Sequence, residues 1–180
     1  RIVSETGRDS PDGVPGEIQV QGPSLFKEYW GQVEATQRSF REGYFLTGDI
    51  AEMRDGYIAI RGRASVDILK SAGYKISALE IEEVLCEHPA VREVAVVGVP
   101  DLEWGEIVTA CVIPQPGRTV NLEQLRAWCS DKLAPYKLPR RLELGQDLPR
   151  NAMGKVTKPE LIRQLTGDGA PGITSSHLIR

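Results

Sequence analysis

The feature that most constrains the fold is a change of texture near residue 63. Before it, short alternating apolar segments, Glu17-Ile18-Gln19-Val20 and Tyr57-Ile58-Ala59-Ile60, are punctuated by Gly13, Gly16, Gly22, Gly43 and Asp55-Gly56, the pattern of antiparallel strands joined by tight turns. After it, helical and strand periods alternate for about a hundred residues, as in a small α+β domain. The boundary is expected around Gly62-Arg63-Ala64-Ser65, giving a β part over residues 1–62, a second domain over 63–165 and an irregular tail over 166–180.

In the second part, Ser77 and Glu80 form a capping-box pattern. Ile81, Val84, Leu85 and His88 then share a helical face before Pro89 stops the helix. Val94-Ala95-Val96-Val97 and Val108-Thr109-Ala110-Cys111-Val112 read as strands. Asn121 is a good N-cap for a helix burying Leu122, Leu125, Cys129 and Leu133, and Thr157 with Glu160 suggests another capping box, opening a short helix to Leu165. The tail is rich in Gly, Ser and Pro without periodicity, and is expected to be disordered.

Composition removes several function classes. A chain of 180 residues with 41% hydrophobic content can bury a core, and its net charge of −3 comes from interspersed signs, without the basic stripe a nucleic acid or anionic membrane needs. No apolar run approaches the roughly 18 residues of a membrane span. Cys86, Cys111 and Cys129 are far apart among apolar neighbours and show no metal spacing with His88 or His177, so they are expected to be buried thiols in a reducing compartment. P-loop, nucleophile-elbow and zincin motifs are absent from the sequence, and no metal ligands are expected in this chain. The start, Arg1-Ile2-Val3-Ser4, is neither an initiator methionine nor a leader. A missing natural N-terminus is therefore expected.

Three places can carry chemistry. Asp49 closes Phe45-Leu46-Thr47-Gly48-Asp49, where a strand is expected to give way to a turn. It is either a turn aspartate or a carboxylate that accepts the two hydroxyls of a ribose. Gly62-Arg63 precedes a mixed segment holding Asp67, Lys70 and a Gly73-Tyr74 turn, either a linker or the site of a phosphate-binding fork. Lys155 ends the loop Pro149-Arg150-Asn151-Ala152-Met153-Gly154-Lys155. Such a lysine is a bland surface group, or an arm that neutralises a phosphoryl group under attack.

In order, Gly16-Glu17-Ile18 to Gly22, Gly43-Tyr44-Phe45-Leu46-Thr47-Gly48-Asp49, Gly62-Arg63 through Lys70, Gly73, Ile76 and Glu80-Ile81-Glu82, Val99-Pro100-Asp101 with Gly105-Glu106, and Pro149-Arg150-Asn151 with Gly154-Lys155 resemble the adenylate-forming superfamily of acyl-CoA synthetases. The resemblance implies a small mobile C-terminal lid domain preceded by an antiparallel β remnant of a large AMP-binding domain. It also implies ATP and CoA as co-substrates, magnesium, and a small carboxylic acid. Asp49 would hold the ATP ribose, Arg63 assist at the nucleotide, Lys155 contact carboxylate and α-phosphate, and Gly73 face the pantetheine arm after rotation about a hinge at Ser65 or Val66. Ser65-Val66-Asp67-Ile68-Leu69-Lys70-Ser71-Ala72-Gly73-Tyr74-Lys75-Ile76-Ser77-Ala78-Leu79-Glu80, with Leu133-Ala134-Pro135-Tyr136 and the Pro149 to Lys155 loop, is most similar to the mitochondrial malonyl-CoA synthetase type, which implies a mitochondrial location, with the cytoplasm as the alternative. The phosphate loop and acyl pocket of that family belong upstream of Arg1, so the chain alone is expected to be inactive and to need its large domain as partner. Two other readings stay open: an adenylation domain loading a carrier protein, and a non-catalytic binding module.

Overall fold

The computed structural model describes residues 1–167 and, for the backbone, 174–178. The chain divides into two compact units, Arg1–Ser65 and Val66–Arg180, each with its own sheet.

The first unit carries β1 (Ile2–Val3), β2 (Gly16–Val20), the helix α1 (Val33–Ser39), β3 (Phe40–Arg41), β4 (Tyr44–Arg54) and β5 (Tyr57–Arg63). All its strand pairs are antiparallel, and β4 is flanked by β2 on one side and by β3 and β5 on the other. Asp55-Gly56 joins β4 to β5, with both residues at positive φ as a two-residue type I′ turn requires. The helix α1 buries no residue and was not expected from the sequence. Tyr57, Ile58 and Ile60 of β5 remain exposed, so the apolar content that marks this strand is not spent on the unit's own core.

The second unit starts with a hairpin, β6 (Ile68–Ser71) and β7 (Tyr74–Ser77), followed by α2 (Ala78–Cys86), the long strands β8 (Val91–Asp101) and β9 (Gly105–Pro114), α3 (Leu122–Ser130), a 3₁₀ turn at Pro135–Lys137, β10 (Arg141–Leu144), α4 (Lys158–Thr166) and β11 (Thr174–Leu178). β9 is the centre: it pairs antiparallel with β8 and, at Gly105, with β6, and parallel with β10. Side chains of one parity, Val96, Ala110 and Val112, pack with α2 and α3 through Ile81, Leu85, Leu122, Leu125 and Cys129. Those of the other parity, Ala95, Val97, Cys111 and Ile113, pack with Leu148 and Leu161. Both faces are covered, which is why these strands read as unbroken apolar runs. This is the α+β class expected of the lid domain, and no described helix is long and apolar enough to cross a membrane.

Several expectations change. The segment after Arg63 is a hairpin, not a linker, and its turn is Ala72-Gly73. Asn121 makes a full capping box with Gln124, and Ser77 Oγ accepts the Glu80 N–H at 3.2 Å. At Thr157 the side chain makes no cap bond, because the Glu160 N–H bonds the Thr157 carbonyl instead and the Glu160 carboxylate turns to Arg163 and Gln164. In the tail, Thr166 still belongs to α4, Gly167 ends that helix at φ 92°, and β11 lies antiparallel to β10. β11 takes up the backbone groups that β10 leaves free on the side away from β9, a pairing that composition does not reveal. The rest of the expected tail, residues 168–173 and 179–180, lies outside the described residues.

Cys86 also departs from expectation: it is exposed, whereas Cys111 and Cys129 are buried. Cys86 follows Leu85 on α2 and so sits about 100° off the face that Ala78, Ile81 and Leu85 bury. Burial, with Glu143 adding to it, pushes the Cys111 thiol up to about 12. Alkylation with iodoacetamide at about pH 8 should therefore modify Cys86 first and reach Cys111 only after denaturant is added, as peptide mass spectrometry would report. Equal native rates at the two would contradict this core.

Candidate functional site

Asp49 lies within β4 rather than at its end, on a bulge. Between the pairs Gln19–Leu46 and Glu17–Ile50, Ile18 of β2 faces Thr47, Gly48 and Asp49 of β4. Gly48 sits at φ 74°, the left-handed conformation such a bulge needs. The bulge is braced on every side. Thr47 Oγ1 donates to the Ile18 carbonyl at 2.8 Å and accepts the Asp49 N–H at 3.0 Å; the Gly48 N–H reaches Glu17 Oε1 at 3.1 Å, and the Gly48 carbonyl takes the Ala64 N–H at 2.8 Å. Sequence reading named Thr47 and Glu17 only as parts of motifs, since their bracing depends on pairing across 29 and 31 residues.

The same register sets Asp49 opposite Arg63, the last residue of β5, and the Arg63 Nε donates to Asp49 Oδ1 at 3.1 Å. Two residues chosen for one nucleotide are thus brought together. Both side chains are partly exposed, 38% for Asp49 and 57% for Arg63, so the ion pair itself adds little stability. Its carboxylate can accept hydroxyl hydrogen bonds and its guanidinium can donate to phosphate or ribose oxygens. Ser65 and Val66 follow directly, where the chain passes from one unit to the other.

In the second unit Lys155 is exposed on a five-residue loop closed by the Arg150–Val156 bridge. Asn151 holds this loop: its Oδ1 accepts the N–H groups of Met153 and Lys155, both at 3.0 Å, and its own N–H bonds the Lys155 carbonyl at 2.9 Å. The Arg150 guanidinium bonds the Gly154 carbonyl at 2.7 Å and pairs with Glu93 near the start of β8. The lysine ammonium has no ion pair among the described residues. Its backbone is therefore fixed while its charge stays available.

Gly73 is at the tip of the β6–β7 hairpin with φ 80°, beside Ala72 at φ 51°. A Cβ on Gly73 would meet no atom within 4 Å, so within this chain glycine is required by conformation and not by crowding. The Ala72 N–H bonds the Trp104 carbonyl at 2.9 Å, tying the tip to the turn between β8 and β9. Tyr74 stacks on Tyr136 with ring centroids 4.2 Å apart.

The two anchors lie at opposite ends of one strand. Glu93, holding the lysine loop, and Asp101, next to the turn that holds the Gly73 tip, are separated by roughly 26 Å of β8 at ~3.3 Å per residue. The lysine loop and the Gly73 tip are thus held at opposite ends of β8. The described residues hold no group of three or more His, Cys, Asp or Glu side chains placed for a metal ion. Magnesium is commonly held by one or two carboxylates together with substrate phosphates, and no chemical step is assigned to it here.

Residues 80–155 match the family model of the AMP-binding enzyme C-terminal domain. The mitochondrial malonate–CoA ligase ACSF3 of Bos taurus is 51% identical over 151 residues, covering 83% of this chain and 26% of that protein. Malonate–CoA ligase of Arabidopsis thaliana is 52% identical over 162 residues, covering 83% of this chain and 27% of that protein. Among solved structures, ATP-bound MatB from Rhodopseudomonas palustris matches with a TM-score of 0.83 at 38% identity, over 93% of this chain and 34% of that one. The chain spans about a quarter of the length of the curated relatives it matches. With this sequence likeness and the matching fold, the chain belongs to the adenylate-forming, AMP-binding enzyme family, whose C-terminal domain it carries.

Proposed function

We propose that this chain is part of an ATP-dependent, AMP-forming acid–thiol ligase that makes malonyl-CoA from malonate. In the first step a carboxylate oxygen attacks the α-phosphorus of ATP and pyrophosphate leaves. In the second, the sulfur of CoA attacks the acyl carbonyl, losing its proton, and AMP leaves. Asp49 and Arg63 hold the ribose and neighbouring oxygens, and the Lys155 ammonium neutralises charge on carboxylate and α-phosphate during the first step. Gly73 presents bare backbone to the pantetheine arm during the second.

The observation that carries this reading is the placement of Lys155 and Gly73 at opposite ends of β8 in one small domain. Two groups so far apart act on one acyl group only in turn, which makes the domain a lid that swings about Ser65 and Val66 between steps. Malonate is the favoured acid because relatives at 51% and 52% identity are malonate–CoA ligases. The mitochondrion is the favoured compartment because the bovine relative is mitochondrial. The 180 residues alone are expected to be inactive, since neither compact unit supplies an acyl pocket in this reading.

The test is AMP release by the full-length protein with ATP, CoA and malonate, with acetate and octanoate as rivals. Release that needs both malonate and CoA supports the proposal. Release driven by another acid overturns the substrate, and release that needs a pantetheinylated carrier protein in place of CoA overturns the acceptor.

A further inference from the structure

A buried ionic cluster in the second unit takes no part in the chemistry so far assigned. Lys158, the first residue of α4, is 9% exposed. Its ammonium lies 2.5 Å from Asp67 Oδ1 and 2.9 Å from Glu82 Oε1, and those carboxylate side chains are themselves largely buried. Glu82 Oε1 also accepts the Val96 N–H at 2.6 Å, a backbone donor of β8 that faces away from β9. The Asp67 carbonyl takes the Ala78 N–H at 2.7 Å, where α2 begins. Lys158 and Glu82 together thus join α4, α2, β8 and the residue just before β6.

Position along the chain gives this cluster its interest. Asp67 comes directly after Val66, where the second unit begins, and Lys158 comes three residues after Lys155. The Thr157 N–H bonds the Pro149 carbonyl at 2.8 Å and shuts the base of the lysine loop. Burial holds the Glu82 carboxyl above the ordinary range despite its lysine partner. A well-packed apolar trio would fold as well or better. Stability alone is then a poor reason for the cluster.

We propose that Lys158 is a positioning residue which, through Asp67 and Glu82, locks the lysine loop to the strand leaving the junction at Ser65 and Val66. Turning about that junction then swings Lys155 as part of a stiff arm. The proposal rests on the adenylation role given to Lys155. A displacement near 1 Å at a reacting centre can cost up to about 100-fold in rate, so the stiffness of this arm matters to the first step. It matters less to the second, when Lys155 is withdrawn.

Replacing Lys158 by an apolar residue would leave two buried carboxylates facing each other and can unfold the domain, so Asp67→Asn is the variant of choice. It keeps the shape and the Lys158–Glu82 pair, and it removes the charged link to the junction. In the full-length protein, kcat for adenylation should fall about tenfold with KM for ATP within about twofold, while thioester formation from supplied acyl-adenylate stays within about twofold. Losing one carboxylate of a buried pair can lower the melting temperature, but that loss is shared by both half-reactions and leaves their ratio unmoved. Equal loss in both half-reactions, or none in adenylation, overturns the proposal. Lys155→Ala is run beside it. If that variant keeps adenylation, the role of Lys155 falls and the proposal with it; if it loses adenylation and Asp67→Asn does not, only the positioning role of the cluster falls.

Discussion

Replacing Lys155 with alanine is expected to slow adenylate formation by about 10²–10³-fold in the full-length protein, the cost of losing one well-placed electrostatic group. The loss should be chemical and not structural. Asn151 holds the loop through the backbone N–H groups of Met153 and Lys155, and Arg150 through the Gly154 carbonyl. None of these bonds involves the lysine side chain. The variant should therefore fold, melt and bind ATP much as the parent does. It should also convert supplied acyl-adenylate to thioester at a rate within about twofold of the parent, because an interaction made in one transition state is lost from that step alone. Stopped assays of pyrophosphate release and of thioester formation would measure the two steps separately.

Gly73→Trp is expected to do the reverse, and Gly73→Ala separates its causes. Any side chain at φ 80° suffers left-handed strain of about 1–2 kcal/mol. Alanine and tryptophan share that cost, and neither clashes within the domain at Cβ. Only tryptophan can fill the space a pantetheine arm would use. Thioester formation should then fall a few-fold in Gly73→Ala but about 100-fold or more in Gly73→Trp, with adenylation nearly unchanged in both. Equal effects of the two substitutions would assign the loss to the turn and leave the arm without a role for this tip.

What was legible in the sequence is what local rules govern. Asp55-Gly56 announced its hairpin, Asn121 its helix, and the runs around Val96 and Ala110 their strands. The β6–β7 hairpin was misread because its strands have four residues each. Their alternation, Leu69 and Ile76 inward against Lys70 and Lys75 outward, is too short to stand out from a linker. β10 was missed for the same reason of length, and it pairs parallel to β9, a partner no nearby turn signals. At the candidate site, motif order found Asp49, Arg63, Gly73 and Lys155 but not what holds them. The bulge at Gly48 depends on Ile18 and Glu17, and the Lys158–Asp67 contact spans 91 residues. Charged residues that far apart carry no periodic signal. Cys86 shows the complementary failure, since an apolar neighbourhood in sequence did not reveal which side of α2 it would occupy.

The most direct test of the central claim is the ratio of adenylation rate to thioester-formation rate in the full-length protein, measured in the parent, Lys155→Ala and Gly73→Trp. A domain whose two ends act in turn should lower that ratio by about 10²-fold in the lysine variant and raise it by a similar factor in the glycine variant. A ratio that stays constant while both rates fall would mean that the two residues act only through the fold, and would contradict the division of labour along β8.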